Sequence, residues 1–156
     1  RANRELFVEA PKKQVIEEVH RLLIEGLHVG KGIRKQVVGI VGTLYRPLDN
    51  IYQITEAIET LLQAIARAED PYTAALIALL GISYIQPFED GNKRTARLVA
   101  NAILFARGCV PLSYRSVDEV SYREAMLTFY EIHSVVSFKD IFTKQYFFAA
   151  EQYGVR

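Results

Sequence analysis

The stretch SYIQPFEDGNKRTARLVAN, Ser83 to Asn101, closes one helix, turns through a loop rich in Pro, Gly and Asn, and opens another. The incoming helix begins at Asp70-Pro71, an N-cap followed by proline at the first helical position, and runs to about Ile85. It is apolar on every face, as in AALIALLGI from Ala74 to Ile82, which predicts a central helix surrounded by others. The outgoing helix, KRTARLVANAILFAR, stops at Gly108. Together with the helices on either side, this reads as an all-α fold.

Outward from this pair the helical pattern recurs. PKKQVIEEVHRLLIEG, opened by Pro11, places Val15, Val19, Leu22 and Leu23 at i, i+4, i+7 and i+8, with Gly26 where a terminating glycine belongs. The glycine-rich GLHVGKGIRKQ cannot continue it. QVVGIVGTLYRP is rich in β-branched and aromatic residues, is interrupted by Gly39 and Gly42, and ends at Pro47, which predicts a short exposed β-hairpin. EAIETLLQAIARA sets Ile58, Leu61, Leu62 and Ile65 on one stripe. DEVSYREAMLTFYEI and SFKDIFTKQYFFAAEQYG supply the last two helices. Ser137 opens the latter with Asp140 three residues on, a capping-box variant. No repeat, low-complexity tract or long linker intervenes, so 1–156 reads as a single domain, a helical bundle with one small β-hairpin.

Half of the 156 residues are hydrophobic, enough for a substantial core. The net charge is +1 and the cations are scattered among carboxylates, so neither nucleic acid nor an anionic membrane is expected as a partner. The longest apolar run falls well short of the roughly 20 residues that span a bilayer, and the N-terminus carries no signal-peptide pattern. A lone Cys109 rules out an internal disulfide, fits a cytoplasmic setting, and reads as a small buried hydrophobe at a helix end. With Arg1 first and Met126 the only methionine, the chain reads as a piece of something longer.

The loop itself suggests chemistry. Gly91 and Asn92 tolerate the tight backbone that lets consecutive N–H groups converge on an anion, at a helix start whose dipole favours negative charge. Arg94 and Arg97, three apart, share a helix face and suit phosphate oxygens. Asp90 would repel a bare anion, so its sensible role is to hold a divalent cation that bridges to phosphates. Phe88 reads as the apolar anchor of the loop. The same residue types equally suit a plain helix start with solvated arginines. GLHVGKG only approaches a P-loop, with three residues between its glycines and Gly32 where Ser or Thr should follow Lys31. Tyr122, Phe129 and Tyr130 lie at helical spacing and read as core.

QPFEDGNKRTAR resembles the signature of the Fic family, H-x-F-x-[D/E]-G-N-G-R-x-x-R. Phe88, Asp90, Gly91, Asn92, Arg94 and Arg97 match, six of its eight constrained positions. GIRKQVVGIVGTLYRP is similar to the segment that forms the family's target-docking flap, and the likeness spans roughly Val15 to Phe148. The signature loop and helix cover about 86–107. The resemblance implies an adenylyltransferase that uses ATP and Mg²⁺ to move AMP onto a hydroxyl side chain of a target protein. Asp90 would hold the metal, and Gly91 with Asn92 would cradle the α- and β-phosphates. Arg94 would contact the β- or γ-phosphate and Arg97 the γ-phosphate. The flap, about 36–52, would dock an extended target segment.

Two positions depart from that signature. Gln86 stands where the family has its histidine base; an amide orients a hydroxyl but cannot take its proton. Lost or inactivated chemistry is the expectation, whether the change is natural or engineered. None of His20, His28 and His133 is placed by the sequence to replace the base, and His20 reads as a core or rim histidine. Lys93 replaces the second glycine, as in the related Doc toxins, which are associated with phosphorylation of their target. Gly91 and Arg97 follow the AMP-transferring pattern. A non-catalytic nucleotide-binding module is the other reading. No inhibitory helix of the family's (S/T)-x-x-x-E-(G/N) form is legible, so such a helix, or an antitoxin, would come from outside this chain. The expected setting is the cytoplasm, or a host cytosol if the protein is delivered there.

Overall fold

The computed structural model describes residues 4–154. Among them lie six α-helices: α1 (Lys13–Leu23), α2 (Ile51–Arg67), α3 (Pro71–Ile85), α4 (Asn92–Ala106), α5 (Glu119–Ile132) and α6 (Val136–Gln152). A 3-10 turn, Glu5–Phe7, precedes them. The chain divides into two compact units. One runs to Gly39 and resumes from Arg46 to Cys109; the other joins Ile40–Tyr45 to the chain from Val110 onward.

In the first unit α3 packs against α2 and α4, and α1 packs against α4. Asp70 starts α3 by accepting the Thr73 N–H at 2.8 Å, with Pro71 in the first turn. Hydrogen bonding from the Thr73 side chain, and then from its N–H, holds the Asp70 carboxyl below its ordinary pKa. Its contribution is therefore fully present above the usual carboxylate range and is lost as the pH falls below that range, through the lowered pKa of the folded state. Asp70→Ala is expected to cost about 1 kcal/mol at pH 7, measured by urea titration, and to cost nothing once the pH is low enough to protonate the wild-type carboxyl. Ala74, Ala75, Ala78, Leu79 and Ile82 of α3 are all essentially inaccessible. Gly81 permits the close approach of α2, since a Cβ there would collide with the Leu61 side chain. From α2 the core receives Ile54, Ile58, Leu61 and Ile65.

In the second unit α5 and α6 pack together. Tyr122 sets its ring edge-on to Phe138 at 5.1 Å, which places it in this core. The 40–45 segment belongs here: the Thr43 hydroxyl and the Leu44 N–H donate to the Glu131 carboxylate, and Tyr45 stacks on Tyr130 at 5.5 Å.

Four expectations are corrected. No strand forms among the described residues; 36–50 is irregular, and side chains meet the Gln36 and Leu48 carbonyls and the Leu44 N–H. The buried face of α1 is Ile16 and His20, continued by Ile24 just past its end, while Leu22 is 55% exposed. The expected stripe is offset by one residue: Val15, Val19 and Leu23 are half-buried at the edge of the face that Ile16, His20 and Ile24 centre. Ser137 lies inside α6, whose N-cap is Val135 with no side-chain cap bond; Asp140 instead pairs with Lys144 at 2.6 Å. Cys109, just past α4, is only half-buried. No helix among the described residues is long and apolar enough to cross a membrane.

Candidate functional site

The loop between α3 and α4 is built around two buried side chains. Phe88 is 0% exposed and stacks on His20 with ring centroids 3.8 Å apart and planes 3° from parallel. Asn92, the first residue of α4, is 5% exposed and points its amide back into the loop. Its Oδ1 accepts the Phe88 N–H at 2.9 Å, and its Nδ2 donates to the Phe88 carbonyl at 2.8 Å and to Gln86 Oε1 at 3.0 Å. The Asn92 side chain is thus committed to the loop itself, and only its main chain faces outward chemistry.

Gln86 caps α3 in the left-handed region, φ 50° and ψ 58°. Besides accepting from Asn92, its amide donates from Nε2 to the Ser83 carbonyl at 2.7 Å. Both ends of the side chain are tied, so its position relative to the loop is fixed. Gly91 also adopts positive φ, +81°, and an added Cβ would press on Leu23 at 3.3 Å. Its N–H donates to Asp90 Oδ1 at 2.6 Å. The first-turn N–H groups of α4, beginning at Asn92, lie ahead of any carbonyl the helix can offer them, which makes this end a place for an anion.

The charged side chains sit around that end. Lys93 and Arg94 are exposed and Arg97 is half-buried. Arg94 lies 3.8 Å from Asp90 Oδ2 with both side chains half or more exposed, a pair too open to hold either group strongly. Glu89 is turned away and accepts the Gly30 N–H at 2.9 Å. The GLHVGKG segment therefore straps the loop with an amide on a carboxylate, an arrangement unlike a phosphate cradle. No cluster of three or more His, Cys, Asp or Glu suited to a metal exists among the described residues. Asp90 alone does not make a metal cage. It does suit Mg²⁺, which keeps most of its waters and is bound by one or two carboxylates plus substrate phosphates.

Two further residues shape the loop. His20 is 0% exposed and its Nε2 lies 2.9 Å from the Asp90 carbonyl, so that nitrogen carries the proton. Burial holds the imidazole below its ordinary pKa, against the opposing pull of this hydrogen bond, and Nδ1 is buried with no hydrogen-bond partner. His20 is a prop under the loop, with one ring nitrogen bonded to it and the other shut away from solvent. Arg34, 4% exposed, donates from its backbone to the Pro87 carbonyl at 2.9 Å and from Nε to the Gln86 carbonyl at 2.6 Å. The only sequence signal for His20 was its place between Ile16 and Ile24 at i, i+4, i+8; Arg34 had none.

Residues 11–104 match the Fic/DOC family. A probable protein adenylyltransferase of Aquifex aeolicus is 29% identical over 115 residues, covering 69% of this chain and 36% of the relative. The protein adenylyltransferase Fic of Nematostella vectensis is 33% identical over 112 residues, covering 70% and 26%. The chain thus spans about a third or less of the length of these relatives. Among solved structures, the Bartonella tribocorum BepC protein with bound AMPPNP superposes with a TM-score of 0.71 at 13% identity, over 92% of this chain and 80% of that one. The Fic-1 protein of C. elegans gives 0.72 at 24% identity, over 94% and 43%. At these identities the structural likeness establishes the shared fold.

Proposed function

Because the chain belongs to the Fic/DOC family, we propose that it is a protein adenylyltransferase domain, moving AMP from ATP to a hydroxyl side chain of another protein and slowed by glutamine at position 86. Its curated relatives carry that activity in their names, and one solved relative was described with AMPPNP, an ATP analogue. The observation that carries the reading is the Asn92 amide. It links Gln86 and Phe88 to the start of α4, so the acceptor position and the anion-binding end form one rigid piece. Such fixed registration is most of what in-line transfer requires of a protein.

In the reaction the target hydroxyl oxygen bonds to the α-phosphorus, the bond from that phosphorus to the α,β-bridging oxygen breaks, and pyrophosphate leaves with the electron pair. The main chain at Gly91 and Asn92 cradles the α- and β-phosphates, the Gly91 N–H exchanging Asp90 Oδ1 for a phosphate oxygen. Arg94 serves the β- or γ-phosphate and Arg97 the γ-phosphate, with Lys93 a mobile charge beside them. Asp90 would hold Mg²⁺, which when bound offsets phosphate charge. The hydroxyl proton has to leave the attacking oxygen. Gln86 orients that hydroxyl through Oε1 but cannot accept the proton, which passes to water instead. An extended target segment docks on 36–52 and completes there the β-ladder that this segment lacks alone. An inhibitory helix or antitoxin would come from outside the chain, and the reaction would take place in the cytoplasm, or in a host cytosol on delivery there.

One observation favours a second reading. The Gln86 amide is engaged at both ends, which suits a module that binds nucleotide and docks a protein strand without turnover. Incubating cell lysate with this chain, Mg²⁺ and ATP labelled at the α- or the γ-phosphorus separates the possibilities. Protein label from α-labelled ATP supports AMP transfer; label from γ-labelled ATP alone replaces it with phosphoryl transfer; neither, with ATP binding intact, supports the binding module. Arg97→Ala should weaken Mg²⁺-ATP binding about 10- to 100-fold, the loss of a charge-assisted hydrogen bond or two. Calorimetry showing unchanged affinity would remove Arg97 from the site.

A further inference from the structure

Arg34 carries more than the loop contacts already described. Its guanidinium is almost wholly buried and spends each of its three nitrogens on a different main-chain carbonyl. Nε donates to Gln86 O at 2.6 Å, one terminal nitrogen to Gln36 O at 2.8 Å, and the other to Leu48 O. Gln36 and Leu48 are twelve positions apart and bracket the irregular segment between them. The third carbonyl belongs to the residue where proton transfer is decided. A planar fork with fixed N–H directions turns these three points into a rigid triangle, which a flexible ammonium cannot do. A fourth bond, Arg34 N–H to Pro87 O at 2.9 Å, pins the base of the fork to the same loop.

Within the AMP-transfer reading given above, we propose that Arg34 is a positioning residue: it fixes both ends of the 36–48 segment relative to residue 86, so that a strand docked there presents its hydroxyl at the α-phosphorus. The role needs no contact between Arg34 and nucleotide or target. It acts through the carbonyls it holds. Displacements of about 1 Å at a reacting pair cost on the order of 10²-fold in rate, so loosening this triangle should slow transfer while leaving ATP in place.

Two measurements on the full chain test this separately from the reading it rests on. Amide hydrogen exchange of Arg34→Ala should be faster across 36–48 and at 86–88, with α3 and α4 still protected. Unchanged exchange across 36–48 would overturn the positioning role whatever the chemistry of the site. Transfer of label from α-labelled ATP into lysate protein, assayed on a Gln86→His background, should then fall about 10²-fold in Arg34→Ala, with Mg²⁺-ATP affinity unchanged by calorimetry. Full transfer in Arg34→Ala, or a loss that tracks weakened ATP binding, would overturn it. If the Gln86→His parent itself transfers nothing, the AMP-transfer reading fails while the exchange result still decides whether Arg34 fixes the segment. Should Arg34→Ala not fold, Arg34→Lys takes its place: faster exchange across 36–48 supports the fork, and wild-type exchange with a lone ammonium overturns it.

Discussion

Replacing Gln86 by histidine should raise AMP transfer about 10²- to 10⁴-fold, the usual contribution of a positioned general base. The backbone is prepared for the change. Residue 86 is in the left-handed region, which histidine tolerates better than most side chains. The Ser83 carbonyl, which now accepts from Gln86 Nε2 at 2.7 Å, offers an acceptor to one imidazole N–H. That bond would set the tautomer and leave the other ring nitrogen bare to receive the hydroxyl proton. Ground-state contacts to phosphate lie elsewhere, at Gly91, Asn92, Arg94 and Arg97, so ATP affinity should stay as it is. Single-turnover transfer, followed alongside calorimetric ATP binding, reads both quantities. A variant that binds ATP as before yet transfers no faster would show that position 86 is not where the proton goes.

Phe88→Ala should be the most damaging single truncation in the loop for stability. The ring is 0% exposed and stacked on His20, so removal leaves a cavity beneath the loop and a histidine face with nothing against it. Phenylalanine-to-alanine changes of this type cost about 3–5 kcal/mol. At about 2–4 °C per kcal/mol for a chain of this size, Tm should drop by roughly 6–20 °C. Phe88→Leu, which keeps most of the volume, should lose far less. A thermal shift near zero for Phe88→Ala would mean that the loop is held by its hydrogen bonds alone.

The α3-loop-α4 hairpin was legible in the sequence because its punctuation is local chemistry. Asp70 as N-cap and Pro71 in the first turn favour a helix start by local chemistry, and Gly91 and Gly108 mark positive φ without reference to anything distant. The phosphate-type residues fell on those same boundaries, so fold and candidate site came together. The expected hairpin has no strand among the described residues. Val37, Val38, Ile40 and Val41 have strand composition, but a strand needs a partner for its main chain. Here Arg34 takes the carbonyls at Gln36 and Leu48, and Glu131 takes the Leu44 N–H. His20 and Arg34 were illegible as site residues because their partners lie 70 and 52 positions away. Spacing within a helix or a loop carries no trace of such a contact.

That difference in span also sets an order of assembly. The Asn92 bonds to Phe88 and Gln86 close loops of only four and six positions, whereas the His20 and Arg34 clasps close loops of 70 and 52. Closure entropy grows with loop length, and contacts between near neighbours form first. The innermost part of the site can therefore assemble as soon as its own turn is complete. The clasps that fix its surroundings arrive afterwards, by a search through the rest of the chain.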